Sequence, residues 1–151
     1  MKWARAQIGT IESPAYSNWG PEIGEWIKYT GYSGPVYWCG CFVCYAVVKI
    51  GGANIPQRIR LGYHLNIVAD AKAGANGLHA VSVADAQPGD IVAFDFQHIA
   101  LVVEKYDGSG YLSTIDGNTS ATDAGSQSNG GGVFPKRRAI GDVLVVARPS
   151  Y

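Results

Sequence analysis

The amino-acid sequence predicts an α+β domain in which N-terminal helices pack on a C-terminal antiparallel β-sheet. Two patterns indicate this class: hydrophobic residues recur at helical spacing in the first half of the chain, and short apolar runs separated by turn residues follow from residue 87 onward. Glycine is abundant, at 20 of 151 residues, as expected for a chain with many turns. The length suits one domain spanning residues 1–151.

Four segments have the pattern of helices. In the second and fourth segments the apolar residues share one face, and glycines end the first three, as is common for helices. In the second segment Pro21 suits the first helical turn, where a missing N–H costs nothing. The third segment is apolar on nearly all sides, which is typical of a helix buried at the centre of a fold. The predicted helices are residues 2–8, 18–31, 39–50 and 62–73.

Four strands are predicted in the second half of the chain. A hairpin turn at Asp107–Gly110 joins the two middle strands, and pairing about it brings Asp116 to within two residues of the position opposite His98. Two polar segments are expected outside the sheet: residues 118–132 as a surface loop and Lys136–Arg138 as a solvated edge. The predicted strands are residues 90–94, 98–104, 111–115 and 142–148.

The charge balance excludes two classes of partner. Twelve Lys and Arg residues balance 12 Asp and Glu residues, whereas a protein that binds duplex DNA or a charged membrane surface carries an excess of positive charge. No apolar run approaches the roughly 18 residues that span a bilayer, and residues 1–5 are not followed by the apolar stretch of a secretory signal. We therefore expect no nucleic-acid partner, no membrane partner and a monomer.

Cys39 is predicted to be a nucleophile. It stands at the start of the buried third helix, where unpaired N–H groups and the helix dipole favour a thiolate and can stabilise an oxyanion. Cys41 and Cys44 fall inside the same helix among apolar neighbours, so we expect them to be small buried side chains.

A nucleophilic cysteine needs a base and a group that orients the base, and His98 is the best candidate for the base. It opens a strand after a sharp bend, and the predicted hairpin brings the end of the neighbouring strand toward it. Either Asp116 or Asn118 could then hold the imidazole. The other two histidines are weaker candidates, since His64 is expected in a helix and His79 in a loop.

Several motifs together resemble the CHAP domain (cysteine, histidine-dependent amidohydrolase/peptidase), a branch of the NlpC/P60 superfamily. The opening segment, Ile8–Pro14 with Ser17–Asn18, and the closing segment, Ala147–Tyr151, look like those of phage-encoded endolysin domains directed at Gram-positive-type walls. The blocks that carry the family resemblance are Trp38–Val43, Gln87–Val92 followed by His98–Val102, and Ile115–Asn118.

The resemblance implies a papain-like fold and a peptidoglycan hydrolase, either an endopeptidase or an N-acetylmuramoyl-L-alanine amidase. By position it implies Cys39 as nucleophile, His98 as general base and acid, and Asp116 or Asn118 as the orienting partner. It also implies that the N–H of Gly40 binds the oxyanion, that Tyr37 and Trp38 wall the cleft, and that Glu12 lies near it. A phage lysin would stay in the host cytoplasm until it is released to the wall.

No cofactor and no metal are expected. Some members of this family bind calcium through acidic residues just before the cysteine, but residues 29–38 contain no Asp or Glu. Two other functions compete with hydrolysis. The three cysteines and a histidine could form a zinc module, although their spacing along an apolar helix is unusual for zinc. Alternatively, the aromatic side chains could make a non-catalytic surface that binds cell walls; the tryptophans are Trp3, Trp19, Trp26 and Trp38.

Overall fold

Four helices precede the sheet in the computed structural model, which describes residues 1–51 and 63–151. All four predicted helices are present, each within three residues of its expected ends where the structure describes them. Pro21 occupies the first turn of the second helix, and Gly74 ends the fourth in the left-handed conformation. The predicted start of the fourth helix at residue 62 lies outside the described residues. The helices are α1 (Lys2–Ala6), α2 (Pro21–Tyr29), α3 (Cys39–Gly51) and α4 (His64–Ala73).

The sheet has six strands, all of them antiparallel to their neighbours, in the order β1-β6-β2-β3-β4-β5. This arrangement confirms the α+β class. Two short 3₁₀ turns, Val83–Asp85 and Ile140–Asp142, lie between strands. The strands are β1 (Leu78–Val81), β2 (Ile91–Phe94), β3 (His98–Val102), β4 (Tyr111–Thr119), β5 (Gly132–Ala139) and β6 (Val143–Pro149).

Two of these strands were not expected from the sequence. His79, assigned to a loop, lies in β1, which pairs with β6 at the edge of the sheet. Residues 111–119 and 132–139 form a long hairpin, so the predicted surface loop is shorter than residues 118–132. The prediction of a solvated edge at Lys136–Arg138 is also wrong, because Lys136 and Arg138 are buried and only Arg137 is exposed. Three consecutive charged residues give this strand no hydrophobic alternation, so hydrophobicity does not predict it.

The register of β3 and β4 confirms the predicted hairpin. Leu101 pairs with Ile115 and Val102 with Thr114, so the residue numbers in each pair sum to 216. Because side chains alternate along a strand, His98 and Asp116 lie on the same face of the sheet. They occupy neighbouring strands at the same end.

The helices cover one face of the sheet, and α3 is the central helix. Eight of its 13 residues are buried, and it packs against α1 and α2 on one side and β3 and β4 on the other. Its apolar surface therefore explains why its first residue is held against the sheet. A smaller apolar cluster, which includes Val92, Phe94 and Val102, covers the opposite face. No helix in the described part of the chain is long and apolar enough to cross a membrane.

Candidate active site

Cys39 is the first residue of α3, and its sulfur contacts three groups. The helix begins with a hydrogen bond from the Phe42 N–H to the Trp38 carbonyl, at 3.0 Å. The thiol interacts with the imidazole of His98 and accepts hydrogen bonds from the N–H groups of Gly40 and Ile99. Cys39 is 6% exposed, so its sulfur lies in a largely dry environment. All of these contacts stabilise a sulfur anion.

His98 is fully buried and is held by Asp116. Its Nε2 lies 2.8 Å from Asp116 Oδ2. Its other nitrogen, Nδ1, is buried and makes no hydrogen bond within residues 1–51 and 63–151, while the ring as a whole interacts with the Cys39 thiol. Phe94 and Phe96 stack near the ring, with centroids 6.0 and 5.5 Å away. The imidazole is therefore fixed in position between the sulfur and the carboxylate.

The pKa values of Cys39 and His98 are shifted in the directions that favour an ion pair between them. Burial lowers the pKa of His98, but hydrogen bonds and charge interactions with Asp116 and Cys39 outweigh burial and raise it to about 9. Burial raises the pKa of Cys39, but the hydrogen bond and charge of His98, with the two N–H groups, bring it below its usual value. Both shifts favour a thiolate beside an imidazolium.

Asp116 is the centre of a buried polar cluster. Its Oδ2 accepts hydrogen bonds from His98 and from Arg138 Nε, the latter at 2.8 Å, and its Oδ1 accepts one from the Thr114 hydroxyl. Burial alone raises the pKa of Asp116, but the interactions with His98, Arg138 and Thr114 lower it overall. Asp116 is therefore an ionised carboxylate, and it fixes the imidazole.

Arg138 is a site residue that the sequence reading missed. It also donates to Gln127 and Thr119, at 2.8 and 3.1 Å, and its guanidinium lies over the ring of Phe96. The sequence signal that bears on it is that Lys136 and Arg138 are two positions apart. That spacing puts two of the three charges on one face of a strand, the face that carries Asp116.

Asn118 makes no hydrogen bond to His98, which corrects its assignment as a possible catalytic residue. Its side chain is fully buried and accepts the N–H of Gly131 at 3.1 Å. Its amide group donates to Asn18 and Asn129, both at 3.3 Å. Asn118 thus joins the turn between β4 and β5 to the loop after α1, and Asp116 is the partner that holds the histidine.

The residues expected to line the cleft have different environments. Trp38 is fully buried, which corrects its assignment to the cleft wall, since a side chain without exposed surface cannot contact a ligand. Its indole Nε1 donates to Glu12 Oε1 at 2.9 Å. Tyr37 is 62% exposed and is available to a ligand beside Cys39. Glu12 is 7% exposed and lines a pocket at this end of the sheet.

Gly117 allows α3 to approach the sheet closely. A Cβ at this position would lie 2.7 Å from Phe42 Cβ and 2.9 Å from an indole carbon of Trp38. Real Cβ atoms are not found at such distances, so only glycine fits here. The absence of a side chain at residue 117 therefore lets the start of α3, with Cys39, lie beside the strand that carries Asp116.

Cys41 and Cys44 are buried, which confirms the prediction made from their apolar neighbours. Burial raises the pKa of Cys41 to about 11, and the Thr30 hydroxyl donates to its sulfur at 3.1 Å. Cys39, Cys41 and Cys44 are not joined by disulfides. Within residues 1–51 and 63–151, no three His, Cys, Asp or Glu side chains are grouped so that they could hold a metal ion. The described residues therefore offer no zinc site.

The tryptophans do not form an exposed binding surface. Trp26 and Trp38 are buried, while Trp3 and Trp19 are half-buried and pack against the core. Trp3 contacts Trp26, Phe42 and Tyr45, with ring centroids between 5.2 and 6.0 Å apart. These rings stabilise the packing of the helices. They leave no tryptophan platform for a wall polymer.

Comparisons of the chain with protein-family models, with curated proteins and with solved structures found no match.

Proposed function

We propose that this protein is a cysteine hydrolase that cleaves an amide bond of bacterial peptidoglycan, on a papain-like fold of the NlpC/P60 type. One observation carries the proposal: Cys39, at the start of a buried helix, contacts an imidazole whose other nitrogen is held by Asp116 at 2.8 Å. A nucleophile, a base and an orienting acid in this order make up the machinery of thiol hydrolases.

The reaction proceeds in two steps. The Cys39 thiolate attacks the amide carbonyl, and N–H groups at the start of α3, including that of Gly40, stabilise the oxyanion. The His98 imidazolium then donates its proton to the leaving amine, which departs as the acyl-enzyme forms. Water, deprotonated by His98, attacks the thioester and releases the carboxylic acid and the free thiol.

The choice of substrate rests on the resemblance to CHAP domains. The blocks Trp38–Val43, Gln87–Val92 with His98–Val102, and Ile115–Asn118 are similar to those of peptidoglycan hydrolases. The chemistry of Cys39, His98 and Asp116 suits any of three amide bonds: one in a stem peptide, one in a cross-bridge, or the amide to muramic acid. A phage lysin released from the host cytoplasm would meet this polymer as a monomer, without a cofactor.

Digestion of purified peptidoglycan tests the proposal. The chain is incubated with the polymer, and the new amino and carboxyl ends are identified by mass spectrometry. Cys39→Ala should lose at least about 10³-fold in rate, since the nucleophile cannot be replaced. Cys41→Ala is the matched control two residues along the same helix, and it should retain cleavage. Absence of new ends with the wild-type chain, or equal cleavage by Cys39→Ala, would overturn the proposal.

A further inference from the structure

A pocket of roughly 300 Å³ lies between the loop that follows α1 and the turn that joins β4 to β5. One acidic side chain, that of Glu12, lines it together with the apolar surface of Ile11, Ala15, Tyr16 and Phe134. Tyr16 is 97% exposed and Ile11 62% exposed, so the rim is open to solvent, while Glu12 is 7% exposed. The pocket thus combines an open apolar rim with a buried carboxylate.

The carboxylate of Glu12 has a neutral partner and no cationic one. Its Oε1 accepts a hydrogen bond from the Trp38 indole at 2.9 Å, and among the residues that the structure describes no Lys, Arg or His side chain pairs with it. Gly131 packs against the carboxyl group, and a Cβ at that position would be in contact with Oε2, at 3.4 Å. A buried carboxylate is normally matched by a positive charge. No described residue supplies that charge to Glu12, which lines an open pocket.

Two hydrogen bonds connect the walls of this pocket to the segments that carry the candidate catalytic residues. Trp38, which binds Glu12, immediately precedes Cys39 in the chain. The N–H of Gly131 donates to Asn118 Oδ1 at 3.1 Å, and Asn118 lies two residues beyond Asp116 on the same strand. The pocket walls are thus tied to the start of α3 and to the end of β4.

We infer that the pocket binds a primary alkylammonium group of the substrate, with Glu12 Oε2 as the acceptor. The inference rests on the proposed function and names its substrate class: a wall peptide that carries a free amine close to the scissile amide. Diamino acids in stem peptides supply such a group. The ammonium donates to Oε2, and the methylene chain packs against the apolar rim.

A metal ion fits this pocket less well. Calcium takes six to eight oxygen ligands, and magnesium requires a near-octahedral set. The pocket offers one carboxylate, and much of its wall is apolar. An alkylammonium group needs few acceptors, and its chain gains from contact with Ile11 and with the aromatic ring of Tyr16.

The indole N–H of Trp38 reports binding directly, because it is bonded to Glu12. The chain has four tryptophans and therefore four indole signals in a ¹H–¹⁵N spectrum. The signal that is missing from the spectrum of Trp38→Phe is that of Trp38. Nα-acetyl-lysine amide should shift the Trp38 signal in a saturable manner in the millimolar range, and the Nε-acetylated analogue should not. Glu12→Gln keeps an oxygen for the indole and should lose the response. Glu104→Gln, at an exposed position, is the charge-matched control and should keep it.

Equal shifts with both lysine compounds, a response that persists in Glu12→Gln, or a response to calcium chloride but not to the amine would each overturn the inference. These outcomes do not depend on whether the chain hydrolyses anything.

Cleavage of peptidoglycan before and after acetylation of its free amines separates the two proposals. The wild-type chain should lose about 10- to 100-fold in rate on the acetylated polymer, the range expected for one charge-assisted hydrogen bond. Glu12→Gln should cleave both polymers at the same reduced rate. Equal cleavage of both polymers by the wild-type chain would refute the ammonium site and leave the hydrolase intact. Absence of cleavage of either polymer would refute the hydrolase, and the spectra alone would then decide the site.

Discussion

The guanidinium of Arg138 lies 2.6 Å from the carboxylate of Asp116, and both side chains are buried. The same carboxylate oxygen accepts the hydrogen bond of His98. The strand β5 therefore contributes a fixed positive charge behind the acid that orients the imidazole. The four groups Cys39, His98, Asp116 and Arg138 alternate in sign when the first two exist as thiolate and imidazolium.

Arg138→Gln should destabilise the protein by about 3–5 kcal/mol, because it leaves the buried carboxylate of Asp116 without its permanent counter-charge. Arg137→Gln, at the neighbouring exposed position, should change the free energy of unfolding by no more than about 0.5 kcal/mol. Urea unfolding of both variants measures the difference. A loss of similar size in the two variants would show that the Arg138–Asp116 pair has no special role in stability.

Asp116→Asn should lower the rate of hydrolysis by about 10²- to 10⁴-fold, because a neutral amide no longer stabilises the imidazolium or fixes its tautomer. The pKa of His98 should fall from about 9, since Asp116 is the largest contributor that raises it. The dependence of kcat/KM on pH measures both effects. Asn118→Gly, which suits the φ of 55° at that position, should reduce stability but leave the alkaline limb of the profile in place.

Cys39 should react with alkylating reagents at pH values too low for an ordinary cysteine thiol to ionise. Its pKa is lowered, so the thiolate forms below that range, while Cys41, with a pKa of about 11, stays a thiol. Iodoacetamide should therefore modify Cys39 selectively at neutral pH, and tandem mass spectrometry locates the label.

The rate of hydrolysis, in contrast to alkylation, should be limited on the alkaline side. It should fall as the pH rises through about 9, because His98 then loses the proton that the leaving amine requires. A Cys39 alkylation rate that increases through pH 9, as for a free cysteine, would contradict the ion pair.

Gly117→Ala should destabilise the protein by about 1–3 kcal/mol, the usual cost of overpacking. The added methyl group would lie 2.7 Å from Phe42 Cβ and push α3 away from β4. Since α3 carries Cys39, hydrolysis should also decrease. Gly34→Ala is the control, because a Cβ at Gly34 meets nothing within 4 Å. Thermal unfolding and peptidoglycan digestion of the two variants test the prediction, and equal behaviour would contradict it.

Local sequence patterns were sufficient to predict much of this fold. The apolar segment after Trp38 predicts α3 and its start at Cys39, and the turn at Asp107–Gly110 predicts the register that places Asp116 near His98. These features depend on hydrophobic periodicity and turn chemistry, which act over a few residues. They account for the candidate nucleophile, its base and the strand that supplies the acid.

Tertiary packing decided the rest. Alternation along β4 predicts that Asp116 and Asn118 lie on the same face, so the sequence does not distinguish them. In the structure the backbone turns at Asn118, where φ is 55°. Asp116 therefore binds His98, whereas Asn118 binds Gly131. The sequence predicts a solvated side chain for Arg138, whereas the pairing of β5 with β4 places it against Asp116. The burial of a polar side chain depends on partners distant in sequence, and hydrophobic periodicity carries no information about such partners.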